Sequence, residues 1–579
     1  MCLVLILLFI ELSSCTFNYK TSNLNIMNKQ FSIILATCFV LVFSTGCKTN
    51  EYGFTKRDIR SGQKLMGMNF GKDAIDTMYQ YLGRNKRGYD TLRKYETHNE
   101  TFPAMTFDPH PAGFEIPKAQ VNAPFVIPDN VELPANKEEI AFYSIPQLAS
   151  LLKNRKITSV ELTKLYIDRI KRYDGQLQSV INLTEELGMA QAKKADQEIA
   201  AGNYKGMLHG IPYGVKDLMA VEGYPTTWGA APYEHQMIDY TSSVVKQLES
   251  QGAVLIAKLV SGSLARGDVW FGGKTKNPWD LNQGASGSSA GPGSATSAGL
   301  VAFSLGTETL GSITSPSSRN GITGLRPTYG RVSRYGVMSL SWSMDKIGPM
   351  CRSAEDCEIV FNAIYGKDPK DPTTNTAPFN RSTKKPSELK VAYLKRDIDR
   401  DSSATGNNIR SALAVFKDMG ITPTAIELPS DYPFNVFDII LRSEAGAFFD
   451  DLVRSGEVDY MVEQTTGSRA NSLRQARFIP AVEYLQANRQ RRQLIEEVNA
   501  LFMQYDVIIS QTSRGSQLLT TNLTGHPVVT IPTGFDQRNR PTSLTLIGNL
   551  YDEGVILGLA RAYQNVTDFD EKHPPLFSK

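Results

Sequence analysis

The chain has 579 residues, 41% of them hydrophobic and 21% charged, with 62 basic against 59 acidic side chains for a net charge of +3. That is the make-up of an ordinary globular protein. Without a basic stripe, heptads or short internal repeats it excludes a coiled coil or a repeat array, and no nucleic-acid partner is expected.

Residues 1–10 are almost wholly apolar and 31–43 are apolar again, with Met27, Asn28 and Lys29 between them. A positive start, about a dozen apolar residues and then small residues compose a secretory signal. The second copy fits best with Met27 as the true start, which makes 1–46 a leader. Cys47, after Ser44-Thr45-Gly46, resembles the lipidated cysteine of a bacterial lipoprotein. A plainly cleaved signal and an uncleaved anchor are the alternatives. The expected location is export, either periplasmic or tethered to the membrane through lipidated Cys47. Neither apolar run reaches the ~20 residues of a transmembrane helix. Of the body cysteines, Cys351 and Cys357 are expected as buried small residues, no metal spacing is present, and no cofactor is expected.

Residues 47–139 form an extension. Within 61–93 the spacing of Leu65, Met66, Ile75, Met78 and Leu82 is helical. A Pro-rich passage follows, from Pro103 to Pro134, expected to wrap over the main body.

The domain proper is expected over 140–579. Ser144-Ile145-Pro146-Gln147 and Thr158-Ser159-Val160-Glu161 open helices, and a third helix runs from 185 to a stop at Gly202. Residues 211–215 are a buried strand, 242–250 a helix and 253–257 a strand. Strands are expected again at 389–394, 507–510 and 528–532, with a helix near 409–419 and mostly helix over 432–504. Residues 367–386 are expected as a surface loop. This alternation argues an α/β fold with a largely central sheet.

The stretch from Gly284 to Pro316 is rich in Gly, Ser, Ala and Thr, but the apolar run 299–303 breaks it like a buried strand, which a flexible linker would not contain. Small residues in a core let backbone approach backbone or substrate. Ser288 and Ser312 lie here with main-chain N–H groups close by, the raw material of a nucleophile with an oxyanion hole. Lys216 ends the apolar strand. It precedes Ser288 by 72 residues, and Ser288 precedes Ser312 by 24.

HGIPYGVKD (209–217), the Gly/Ser stretch, GITGLRPTYGRVSRYGV (321–337), SWSMDKIGPMCRSAEDC (341–357) and GHPVVTIPTG (525–534) together resemble the amidase signature family of serine hydrolases. The resemblance implies one large α/β/α domain around a mixed sheet. It implies Lys216 as base, Ser288 as the serine with a cis peptide bond, and Ser312 as nucleophile. The backbone N–H groups of Thr309, Leu310, Gly311 and Ser312 would form the oxyanion hole. Burial would keep the amine neutral. Lys216 would draw a proton through Ser288 from Ser312, which attacks the amide carbon, and water would release the acyl group. The chain departs from the family pattern at Leu310, Glu308, Thr314 and GSSAGPG, which bears on pocket shape. The expected function is hydrolysis of a small-molecule or lipid-like amide. The alternatives are the amidase component of a tRNA amidotransferase and an inactive exported binding protein on the same scaffold.

Overall fold

The computed structural model describes residues 52–95, 98–120 and 123–578. The leader, with Met27 and Cys47, lies outside them. The chain divides between residues 97 and 98 into two units. Among its described residues the first holds two helices, α1 (Lys56–Leu65) and α2 (Lys72–Leu92). Thr55 and Asp58 cap α1 reciprocally, and the helical spacing over 61–93 is interrupted between Leu65 and Lys72.

In the second unit α3 (Ile145–Lys153) and α4 (Ser159–Leu177) come first. Ser144 and Thr158 cap them in reciprocal boxes with Gln147 and Glu161, as their sequences predict. Then follow β1 (Val180–Leu183), α5 (Glu185–Ala200), β2 (Pro212–Lys216), α6 (Ser243–Ser250), β3 (Val254–Leu259), α7 (Ala290–Ser297), β4 (Phe303–Glu308), α8 (Thr314–Asn320), β5 (Thr323–Arg326), β6 (Lys346–Cys351) and α9 (Ala354–Ile364). The remainder adds β7 (Val391–Leu394), α10 (Ala404–Asp418), β8 (Thr424–Ile426), α11 (Ile439–Phe448), α12 (Arg469–Ala476), α13 (Ala481–Phe502), β9 (Val507–Gln511), α14 (Gln517–Thr524), β10 (Val528–Phe535), β11 (Pro541–Gly548) and α15 (Glu553–Gln564).

The strands form one eleven-stranded mixed sheet in the order β1-β3-β2-β4-β6-β5-β10-β11-β9-β7-β8. β2 runs parallel to both β3 and β4, while β4, β6, β5, β10, β11 and β9 follow one another antiparallel. β2, β3, β4 and β6 are buried along their whole length, including the polar Lys216, Lys258, Glu308 and Lys346. The α/β architecture expected from the alternation is the one observed.

Two local expectations are corrected. The Gly/Ser stretch folds as a helix, α7, whose residues are all buried, and the strand expected at 299–303 begins only at Phe303. A Cβ on Gly291 would lie 2.3 Å from Val260 N and 2.4 Å from Ser179 O. The small residues therefore let α7 press against backbone, and packing overrides their poor helix propensity. The expected surface loop at 367–386 has little regular structure, yet Asp371, Ala377 and Phe379 are buried. The guanidinium and the backbone N–H of Arg334 hold Asp371 inside. Cys351 and Cys357 are free and buried.

Residues 98–139 run over the second unit. His110 Nε2 meets Tyr551 OH at 2.7 Å, and Gln120 Nε2 donates to Phe379 O at 3.2 Å. Among the described residues no helix is long and apolar enough to cross a membrane.

Arg169 in α4 is buried, and its guanidinium donates to the carbonyls of Gly299 (2.9 Å), Ala298 (2.9 Å) and Phe577 (2.6 Å) and to Glu138 (2.6 Å). It thus ties the end of α7 and the C-terminal segment to α4. Arg169→Met orphans these carbonyls, and a loss of ~3 kcal/mol is expected, of the size seen when a buried charge partner is removed. The urea midpoint of the full chain measures it.

Candidate active site

Strand β2 carries the chain inward and ends on Lys216, which is paired in register with Leu259 of β3. Lys216 is 0% exposed. Its Nζ donates to Ser288 Oγ at 2.8 Å and to Thr307 Oγ1 at 2.9 Å. Burial, opposed by Asp345 and Glu308, holds the amine well below the ordinary lysine range.

Ser288 follows a cis peptide bond from Gly287. A Cβ on Gly287 would lie 1.8 Å from Gly267 O, so only glycine lets the chain pass here. Ser289 locks the turn to β4: its Oγ donates to Thr307 O at 3.1 Å and accepts from Thr307 N at 3.2 Å. Ser289 N–H donates to Ser312 O at 3.2 Å, which brings the second serine turn against the first.

The turn from Thr309 to Ser312 leaves β4 and leads into α8. Among the described residues no protein acceptor takes the N–H groups of Leu310, Gly311 or Ser312. Ser312 is 8% exposed. Among the described residues its hydroxyl makes no hydrogen bond, so the Lys216–Ser288 link of the expected relay is formed and the Ser288–Ser312 link is not. Catalytic hydrogen bonds commonly tighten only when substrate is bound.

Glu308 holds this turn from beneath. One carboxylate oxygen accepts from Ile313 N and Thr314 N, both at 2.9 Å, and the other from Arg326 Nη1 at 2.7 Å and Asn522 Nδ2 at 2.9 Å. Burial alone would raise its pKa, but Arg326 and these donors bring it down to about 2. Glu308, noticed in the sequence only as a departure from the family, is therefore a permanent anion that fixes the first residues after Ser312.

Three further residues escaped the sequence reading. Thr307 is the second partner of Lys216. Asp345, pushed up by burial despite its donors, accepts from Thr309 Oγ1 at 2.5 Å and from Leu340 N and Ser341 N at 2.7 and 2.9 Å. Lys346 is also buried, held well below its usual range by burial and then by Arg326. Each lies in a stretch that carries the resemblance, Thr307 in 284–316 and Asp345 and Lys346 in 341–357, but a linear motif does not show which neighbours the sheet order gives it. Asp217, by contrast, faces away: it pairs with Lys258 at 2.6 Å and accepts from Thr227. His526 is fully buried, bonded to Thr524 Oγ1 at 2.7 Å and pushed down to about 3 by burial and Arg326. Among the described residues no group of three or more His, Cys, Asp or Glu side chains is placed to hold a metal.

The amidase family model matches residues 161–518, more than half of the chain. The chain belongs to the amidase family. Relatives include a component of the glutamyl-tRNA(Gln) amidotransferase of Microcystis aeruginosa, 32% identical over 480 residues covering 74% of this chain and 99% of the relative. The protein of the same name from Carboxydothermus hydrogenoformans is 31% identical, covering 76% of this chain and 100% of the relative. Among solved structures, the peptide amidase of Stenotrophomonas maltophilia is similar at a TM-score of 0.68 and 25% identity, over 76% of this chain and 100% of the other. The amidase-family chain is thus an amide-hydrolysing enzyme on the mixed-sheet amidase fold.

These findings overturn one expectation and weaken others. The relatives are named for a tRNA-directed enzyme, not for exported or lipid-anchored proteins. The exported, periplasmic or lipoprotein location is withdrawn. Its physical weakness was that it rested on two short apolar runs and Cys47, none of which lies in the family-matching region. A membrane tether and a lipid-like substrate find no support in the relatives, and the expectation of no nucleic-acid partner loses its ground.

Glu308→Ala strands the buried Arg326 and frees the turn after Ser312. A loss of about 3–5 kcal/mol is expected, read as a shifted urea midpoint. Glu308→Gln, which keeps half the bonds, is expected to lose less.

Proposed function

We propose that the chain cleaves a carboxamide through an acyl-enzyme, with Ser312 as nucleophile, Lys216 as base and Ser288 as the relay between them. The observation that carries this is the fully buried Lys216 amine 2.8 Å from Ser288 Oγ. Desolvation favours the uncharged amine, which has a lone pair for the Ser288 proton. Ser288 then takes the Ser312 proton as Ser312 Oγ bonds to the amide carbon. The N–H groups of Leu310, Gly311 and Ser312, with that of Thr309 beside them, are free to receive the oxyanion. The proton on Ser288 passes to the leaving nitrogen as Lys216 returns its proton to Ser288, the C–N bond breaks and ammonia or an amine departs. Water, giving a proton to the same relay, then attacks the acyl-Ser312 ester, and Ser312 leaves with that proton as the acid is released.

The relatives' names favour a particular setting, in which the chain is the amide-cleaving component of an aminoacyl-tRNA amidotransferase. In that setting its partners are further protein chains and a charged tRNA, and the ammonia goes to the tRNA-bound glutamyl group. The tagged full chain, purified from its own host, is then expected to bring those partner chains with it and to amidate glutamyl-tRNA(Gln). Recovery as a lone chain that hydrolyses amides at full rate would favour a free-standing amidase.

Ser312→Ala is expected to abolish labelling by a fluorophosphonate probe, and Lys216→Ala to lower kcat by at least ~10³. Undiminished turnover in either variant overturns the assignment. Because the rate needs the free amine, kcat/KM should rise with pH through the pKa of Lys216. Since that pKa is depressed, the rise should be complete well below the ~10.4 of an ordinary lysine. A rise centred near 10.4 would place the amine in water.

A further inference from the structure

Far larger than the water-sized void beside Thr307 and Lys346 is a chamber of about 900 Å³. It lies between α11, the start of α13 and a strap upstream of the family-matching residues, Pro103 to Asp108. A volume of this order suits a substantial organic group, since about 150 Å³ already admits benzene.

Much of its surface is apolar for a definite reason. The buried charges in its wall are already engaged by the protein. Glu444 accepts from Ser341 Oγ (2.6 Å), Ser343 N (3.0 Å), Ser343 Oγ (2.7 Å) and Tyr484 OH (2.9 Å). Arg491 donates to Leu523 O, Ser343 Oγ and Ser343 O, and its open face is covered by the Phe107 ring at 3.5 Å. The remaining lining is mixed: Phe107, Trp342, Ile479 and Ile495 supply carbon, with Met105 and Leu485 left 69% and 50% exposed beside them, while Asp450 and Arg477 pair with each other and Arg492 pairs with Glu496. Ser443 Oγ, buried and without a partner among the described residues, is a polar handle in the wall.

The chamber is joined to the reacting centre by one turn. Trp342 and Ser343 face the chamber, and a few residues on Asp345 accepts from Thr309 Oγ1, at the root of the oxyanion turn. Asp345 also closes the turn by accepting from Leu340 N and Ser341 N.

We propose that the chamber takes a bulky apolar substituent of the amide substrate, of phenyl size or larger, and that Phe107 on the strap is its specificity-determining wall. This rests on amide cleavage at Ser312, whichever acceptor receives the ammonia. The strap supplies a face that the family-matching region does not contain, so the preference is a property of this chain.

The test compares propanamide with phenylbutanamide, which share a leaving group, using the full chain or, if it is isolated with partner chains, the complex. The unmodified protein is expected to favour phenylbutanamide by at least ~10-fold in kcat/KM. Ala447→Trp, a filling change at an exposed position of the chamber wall, should remove that preference while leaving kcat/KM for propanamide within about twofold. Phe107→Ala should raise KM for phenylbutanamide by about 5- to 10-fold with kcat little changed. Parallel loss on both amides, or an unchanged preference in Ala447→Trp, overturns the proposal. Calorimetry of phenylbutanamide with Lys216→Ala protein separates the two assignments. Binding that Ala447→Trp abolishes, without turnover by the unmodified protein, supports the chamber and sinks the reaction. Turnover of propanamide with no phenylbutanamide binding sinks the chamber and spares the reaction.

Discussion

The withdrawal of one amine from water organises this molecule. Lys216 ends β2, a strand flanked by parallel neighbours and buried along its length. An ammonium there would be costly, so the two hydroxyls of Ser288 and Thr307 serve the amine rather than a counter-ion. Glu308, which with Asp345 acts on the amine, is committed to Arg326, Asn522 and the turn after Ser312. The same burial that stabilises the sheet thus holds the amine well below the ordinary lysine range, and the Gly287–Ser288 turn brings Ser288 Oγ within 2.8 Å of it.

The turn from Leu340 to Asp345 is the second organising feature. It is tied on one side to Thr309 through Asp345 and on the other to Glu444 and Arg491 through Ser341 and Ser343. Buried polar networks of this kind cost stability when half satisfied and specify geometry when complete. Here the buried Glu444 and Arg491 have their partners, so the apolar side chains between them can form much of the chamber wall. The upstream strap adds Phe107 across Arg491 and so helps shape a pocket on a family scaffold.

The leader shows how a local signal can mislead. A positive residue, an apolar run and a cysteine after small residues are few constraints, met by many sequences. The motifs of the body are many constraints in one order, and the relatives they find are named for tRNA-directed amidation. The weight of the functional reading therefore lies on the body.

The sequence alone determined the α/β alternation, the capped helices α3 and α4 and the family. These are carried by short-range patterns: apolar runs, capping boxes and fixed motifs around Lys216, Ser288 and Ser312. It did not reveal that 290–297 is helical, because glycine, proline and serine disfavour a helix until a sheet backbone at Val260 lies against it. Nor did it reveal Thr307 bonded to the amine, or Phe107 over Arg491, a pair 384 positions apart. Those neighbours exist only because strand order and a returning strap bring distant residues to one place, and no periodicity in a linear chain records which strand lies next to which.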